Sequence, residues 1–103
     1  VNVHFPNKPI IVTENGVADA KDQYRQWWLH ETMVALDTAR TQNIPVIGYL
    51  HWSLLDNFEW ADGWWPKFGL VEVDRQNNMK RKIRPSALWW AKELAKRKEA
   101  KTL

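Results

Sequence analysis

The sequence predicts an α/β unit built on parallel strands. Two continuous apolar runs, Ile10-Ile11-Val12-Thr13 and Val46-Ile47-Gly48-Tyr49-Leu50-His51-Trp52, have the character of strands covered on both faces, and a helical pattern lies between them. Each run also ends in polar residues, Thr13-Glu14-Asn15-Gly16 and His51-Trp52-Ser53, at the carboxyl ends where α/β sheets present ligand-binding groups. Strand, helix and strand at this spacing make a βαβ crossover, which is right-handed in nearly every case.

Taken in order, the first run follows Pro9, stops at Glu14-Asn15-Gly16 and belongs in the centre of a sheet. Asp19 and Asp22 are placed to cap the next helix, in which Trp28/Leu29, Met33, Leu36 and Ala39 recur at helical spacing until Asn43-Ile44-Pro45 breaks the pattern. Residues 53–67 form an aromatic and acidic loop, too long for a simple connection and therefore expected to be functional. Phe68 to Val73 and Met79 to Ile83 read as a small hairpin around Asp74-Arg75-Gln76-Asn77-Asn78, and Pro85-Ser86 opens the last helix. Two strands and two helices cannot cover both faces of a sheet. The pattern therefore predicts exposed apolar strand surface and a chain that is part of something larger.

With 45% hydrophobic residues in 103, there is apolar material for one compact domain and too little chain for two, and disorder is excluded. No stretch approaches the roughly 18 uncharged apolar residues of a membrane span, and no leader pattern is recognisable, so a soluble protein without membrane contact is expected. The absence of cysteine excludes disulfides, thiolate metal sites and Cys nucleophiles, and favours a reducing compartment, the cytoplasm. His4, His30 and His51 are too far apart for a local metal motif, and Gly-rich phosphate loops are missing, so neither metal nor cofactor is expected. The net charge of +3 divides into −4 over residues 1–79 and +7 over residues 80–103. The basic end shares its helical pattern with Leu88, Trp89, Trp90 and Leu94 and reads as a solvated helix face rather than a nucleic-acid surface. The unusual number is 8 Trp, which points to an aromatic core or to platforms for a stacking ligand.

Glu14, where a strand gives way to a glycine turn, is either a catalytic group or a cap of the following helix. Asp56-Asn57-Phe58-Glu59-Trp60-Ala61-Asp62-Gly63-Trp64-Trp65 sets three carboxylates among four aromatic rings. Sugar binding needs that combination, because ring faces stack on the C–H side of a pyranose while carboxylates accept hydrogen bonds from hydroxyls. The alternative is an aromatic loop packed on its own hairpin. Read from position alone, Glu14 and Glu59 could be the two carboxylates of a glycosidase. His51, beside Trp52, is either an active-site residue or a satisfied core histidine, and the core reading is preferred.

Ile11-Val12-Thr13-Glu14-Asn15-Gly16 followed by Gly48-Tyr49-Leu50-His51-Trp52-Ser53-Leu54-Leu55-Asp56-Asn57-Phe58-Glu59-Trp60 resembles glycoside hydrolase family 1, the β-glucosidases and β-galactosidases. The likeness continues through Lys67-Phe68-Gly69-Leu70-Val71 and Arg84-Pro85-Ser86-Ala87 and covers nearly the whole chain. It implies part of a (β/α)8 TIM barrel: residues 1–103 would be the C-terminal segment of one barrel domain, strands seven and eight with their helices plus a small hairpin. It further implies that Glu14 is the nucleophile of a retaining β-glycosidase and that Trp52, Glu59, Trp60 and Phe68 bind the glycone. Glu59 is thereby assigned to substrate rather than to acid catalysis. The family's acid/base glutamate lies in a T-x-N-E-P motif, which this chain does not contain, so the chain alone is expected to be inactive. The expected partners are a β-glycoside and the remaining barrel, covalently or as a separate chain, with a homo-oligomer possible and no nucleic acid. The rival reading is a non-catalytic sugar-binding or structural fragment.

Overall fold

A computed structural model describes residues 1–100. Strand β1 (Ile10–Val12) and strand β2 (Val46–Tyr49) pair in parallel, with Ile11 opposite Gly48 and Val12 opposite Tyr49, and helix α1 (Arg25–Thr41) makes the crossover. Both strands are shorter than the apolar runs that foretell them. Leu50 N–H still donates to Val12 O at 2.8 Å, but the next bond is Trp52 N–H to Asn15 O at 2.9 Å, so the paired chains leave regular geometry while remaining tied. The two strands form a sheet of their own, and their outward side chains are open: Ile11 is 51% and Ile47 67% exposed. The sequence placed β1 centrally; among the described residues it has a neighbour on one side only.

The core lies behind the sheet. Leu29 and Met33 of α1 meet Trp90 of helix α2 (Pro85–Ala100), with Leu36, Tyr49, Leu70 and Trp89 packed around them. Each such aliphatic side chain contributes about 1.5–3 kcal/mol on burial.

The helix capping differs from expectation in an instructive way. Asp19 does serve the start of α1, its Oδ2 accepting from Tyr24 N–H at 2.7 Å and Arg25 N–H at 3.1 Å. Burial works to raise the Asp19 pKa, but the backbone donors of residues 23–25 and the Arg25 charge outweigh it and lower the value. Asp22, in left-handed backbone with φ 57°, instead accepts from Ser86 N–H at 2.8 Å and Ser86 Oγ at 2.6 Å. It therefore caps α2, 64 residues away, while also pairing with the fully buried Arg25. Sequence spacing cannot distinguish a local cap from a distant one.

The loop after β2 is strapped to the hairpin of β3 (Val71–Asp74) and β4 (Lys80–Ile83), whose register sets Glu72 against Lys82 and Asp74 against Lys80. The first hairpin strand was expected from Phe68. It begins three residues later because residues 68–70 bond the loop instead: Ser53 N–H donates to Phe68 O at 3.3 Å and Leu70 N–H to Ser53 O at 2.9 Å. A short 3-10 turn covers Trp60–Asp62. Among the described residues no helix is long and apolar enough to cross a membrane.

Candidate active site

The site forms where β1 and β2 end. Glu14 lies two residues past β1 with its side chain exposed, and among the described residues that carboxylate has no hydrogen-bond or ionic partner. Gly16 is required by close approach, since a Cβ there would lie 1.8 Å from Trp52 O and 3.5 Å from Phe68 Cδ1. The turn after β1 is thus pressed against Trp52 and Phe68.

Trp52 is half-buried, and its indole N–H donates to Glu59 Oε1 at 3.1 Å. The indole edge is thereby fixed while a ring face is left for packing, and Glu59 keeps a second oxygen for a ligand. Glu59 N–H donates to Gly63 O at 2.7 Å, which closes the loop around Trp60–Asp62. Trp60 has φ 50° and is 84% exposed, and no hydrogen bond or ring contact holds its side chain to the other described residues. Of the five residues singled out in the sequence, Glu14, Trp52, Glu59 and Phe68 are linked directly or through one neighbour. Trp60 stands apart.

Asp56 belongs to a different category from Glu59. It is 7% exposed and takes a bidentate pair from Arg84, Nη1 to Oδ1 and Nη2 to Oδ2, both at 3.0 Å, with Gly69 N–H donating to Oδ1 at 2.9 Å. Its lone pairs are occupied, so it holds the loop on the hairpin. In the same loop Phe58 packs on Trp64 with centroids 5.3 Å apart, and the Arg75 guanidinium lies over the Trp64 ring, 3.7 Å from its centroid.

Residues that the sequence reading passed over support the strand ends from behind. Asn15 Oδ1 accepts from Trp28 Nε1 at 2.9 Å, Thr32 Oγ1 at 3.3 Å and the Tyr49 hydroxyl at 3.2 Å. Because both Asn15 oxygens can only accept, the Tyr49 proton goes to Asn15, and His51 Nδ1, 3.0 Å away, must be the donor to the Tyr49 oxygen. That makes Nε2 the unprotonated nitrogen of a neutral ring, and it is buried without a partner among the described residues. Burial first, then the Arg25 charge, holds the His51 pKa down to about 4 against the opposing pull of the Asn15 backbone carbonyl, which accepts from the ring, while burial pushes Tyr49 up to about 12. His51 is therefore a core histidine only in part, since one nitrogen is unsatisfied. The signal that could have found this network was Asn15 itself, a carboxamide directly after Glu14. Among the described residues, no three His, Cys, Asp or Glu side chains gather as a metal site.

A sequence profile described as Glycosyl hydrolase family 1 matches residues 1–100. The chain belongs to this family. It is 39% identical over 98 residues to a benzoxazinyl-glucoside β-D-glucosidase of Secale cereale, covering 85% of the chain and 17% of that protein. It is 51% identical over 78 residues to a galactolipid galactosyltransferase of Arabidopsis thaliana, covering 76% of the chain and 12% of that protein. Among solved structures, the hyperthermophilic β-glucosidase of Pyrococcus furiosus superposes with a TM-score of 0.86 at 47% identity, over 94% of the chain and 20% of that enzyme. The chain thus spans a fifth or less of these relatives, and its fold is part of the family's TIM barrel.

Proposed function

We propose that residues 1–103 are the C-terminal segment of a retaining β-glycosidase, in which β1 and β2 are barrel strands seven and eight. In this reading Glu14 is the nucleophile, Trp52 the platform under the glycone, Glu59 and Trp60 its hydroxyl-binding pair, and Phe68 a wall of the same subsite. The observation that carries the reading is the joined arrangement of an unpaired carboxylate, an indole and a second carboxylate: Trp52 N–H bonds the residue next to Glu14 while its Nε1 bonds Glu59. Asp22 and Asp56 are paired with arginine and Asp19 with backbone donors, whereas Glu14, without a partner among the described residues, is left for chemistry.

The reaction is a double displacement. A Glu14 carboxylate oxygen bonds the anomeric carbon as the bond to the aglycone oxygen breaks, and a carboxylic acid from the remaining barrel gives that oxygen its proton. Water, giving up a proton to the same group, then cleaves the glycosyl ester and returns Glu14 as carboxylate with configuration retained. The segment lacks that acid, so turnover requires the complementary part. The proposed location is the cytoplasm, in keeping with a chain free of cysteine.

A second outcome shares the first half-reaction. A sugar hydroxyl can replace water as acceptor, which makes the product a new glycoside. The identity to the galactosyltransferase favours including it. Both outcomes are tested on the complete barrel containing this segment, with a chromogenic β-glucoside and β-galactoside and with added glycoside acceptor. The first-formed anomer should be β, and Glu14→Ala should lower kcat by about 10⁴-fold or more. Azide should restore part of the aglycone release and yield the α-glycosyl azide. More than a few per cent of kcat remaining without azide would remove Glu14 as nucleophile.

A further inference from the structure

The end of β1, the body of α1 and the end of β2 meet at one residue. Asn15 Oδ1 takes donors from Trp28 and Thr32 on α1, the single Tyr49 hydroxyl proton on β2 is shared between Oδ1 at 3.2 Å and Asn15 O at 3.1 Å, and Asn15 O also accepts Trp52 N–H at 2.9 Å. An indole N–H can only donate, so the atom facing Trp28 is the oxygen, and the carboxamide cannot flip without leaving that donor unmade. Glu14, the preceding residue, has no hydrogen-bond partner of its own among the described residues. Its placement is inherited from the backbone on which it stands, and that backbone is fixed at Asn15.

We propose that Asn15 is a positioning residue for Glu14: its side-chain oxygen, clamped by Trp28, Thr32 and Tyr49, sets the angle at which the turn after β1 presents the Glu14 carboxylate. The proposal rests on Glu14 being the nucleophile. A nucleophile must meet its carbon in line and near contact distance, and displacement by about 1 Å costs about 100-fold in rate. The Asn15 carbonyl, which holds Trp52, is a separate function of the same residue and survives any side-chain replacement.

The test is a cycle in the complete barrel. Asn15→Ala should lower kcat on an activated β-glucoside by about 100-fold with KM little changed, because Trp52 and Glu59 remain in place. In the Glu14→Ala background azide attacks in place of the carboxylate, so adding Asn15→Ala should leave the azide-dependent rate within about threefold. An equal loss in both backgrounds would overturn the proposal, since the residue would then act on the site as a whole. So would an undiminished kcat in the single variant. Should Asn15→Ala fail to accumulate folded, Trp28→Phe takes its place in the cycle and should show the same pattern with a loss of about tenfold. Glu14→Ala alone separates the two failures: if it keeps its turnover, the nucleophile assignment falls first and the positioning role with it.

Discussion

Two pairs of carboxylates, Asp22 with Asp56 and Glu14 with Glu59, differ in what they face. Behind and beside the strand ends, Asp22 pairs with Arg25 and Asp56 with Arg84, in side chains that are 6% exposed or less. At the strand ends and the loop beside them, among the described residues, the Glu14 side chain meets no cation and the Glu59 side chain bonds only the indole of Trp52. A buried charge is tolerated only when its partners are supplied by the fold, and once supplied they leave no lone pair for a substrate. The frame carboxylates are therefore unavailable for sugar chemistry, and the exposed ones add little to stability. Asp56 and Glu59 show the contrast within a single turn of chain.

The sharpest way to break that division is to exchange the two losses. Asp56→Ala leaves Arg84 buried without its partner, and the complete barrel should lose about 3–5 kcal/mol or fail to fold. Glu14→Ala should stay within about 0.5 kcal/mol of the parent, as for a surface site. Denaturant unfolding of both variants measures the difference, and equal costs would show that the frame and the site are not energetically distinct. A smaller effect is expected for Glu59→Gln, which keeps the shape and an acceptor but removes the charge. Its kcat/KM should fall by the equivalent of about 1.5–3 kcal/mol, the range for bonds to charged groups, with unfolding unchanged. An unaltered kcat/KM would move Glu59 out of the sugar site and into the frame.

What the sequence disclosed follows the same line. The βαβ order, the hairpin and the helix opening at Pro85 were legible because continuous apolar runs, turn residues and proline act locally. Glu14 is conspicuous as a carboxylate at a strand end and Glu59 as one among aromatic rings, whereas the role expected for Trp52 comes from the family resemblance. Asp22 was misread as a cap for α1, because its true partner Ser86 is 64 residues distant and no local rule reaches that far. Asp56 was grouped with Glu59 for the same reason, since Arg84 lies 28 residues beyond it. Trp28 was counted as helix face, while its N–H serves Asn15. Pattern reveals which residues are unusual, and tertiary pairing decides which of them are free to act.

The remaining prediction adds a third kind of buried ionisable group, one kept neutral. The neighbours of His51 are Tyr49, Asn15 and the positive charge of Arg25, and among the described residues no carboxylate offsets burial, so its pKa falls from 6.5 to about 4. With the folded value below the unfolded one, the unfolded chain binds the proton more tightly between those limits. Stability from this group is therefore complete above pH 6.5 and is lost as pH falls towards 4. Solvent reaching the ring reduces the effect to about 1 kcal/mol, smaller than the losses above. Asp19, whose pKa is lowered from 3.8, contributes its own acid loss, which parent and variant share, so the comparison between them isolates His51. Thermal unfolding of the complete barrel, measured from pH 7 to pH 4 beside His51→Gln, should show the slope in the parent and a flatter line in the variant. Parallel lines would mean that His51 takes up its proton equally in the folded and unfolded chains, and the lowered pKa would have to be abandoned.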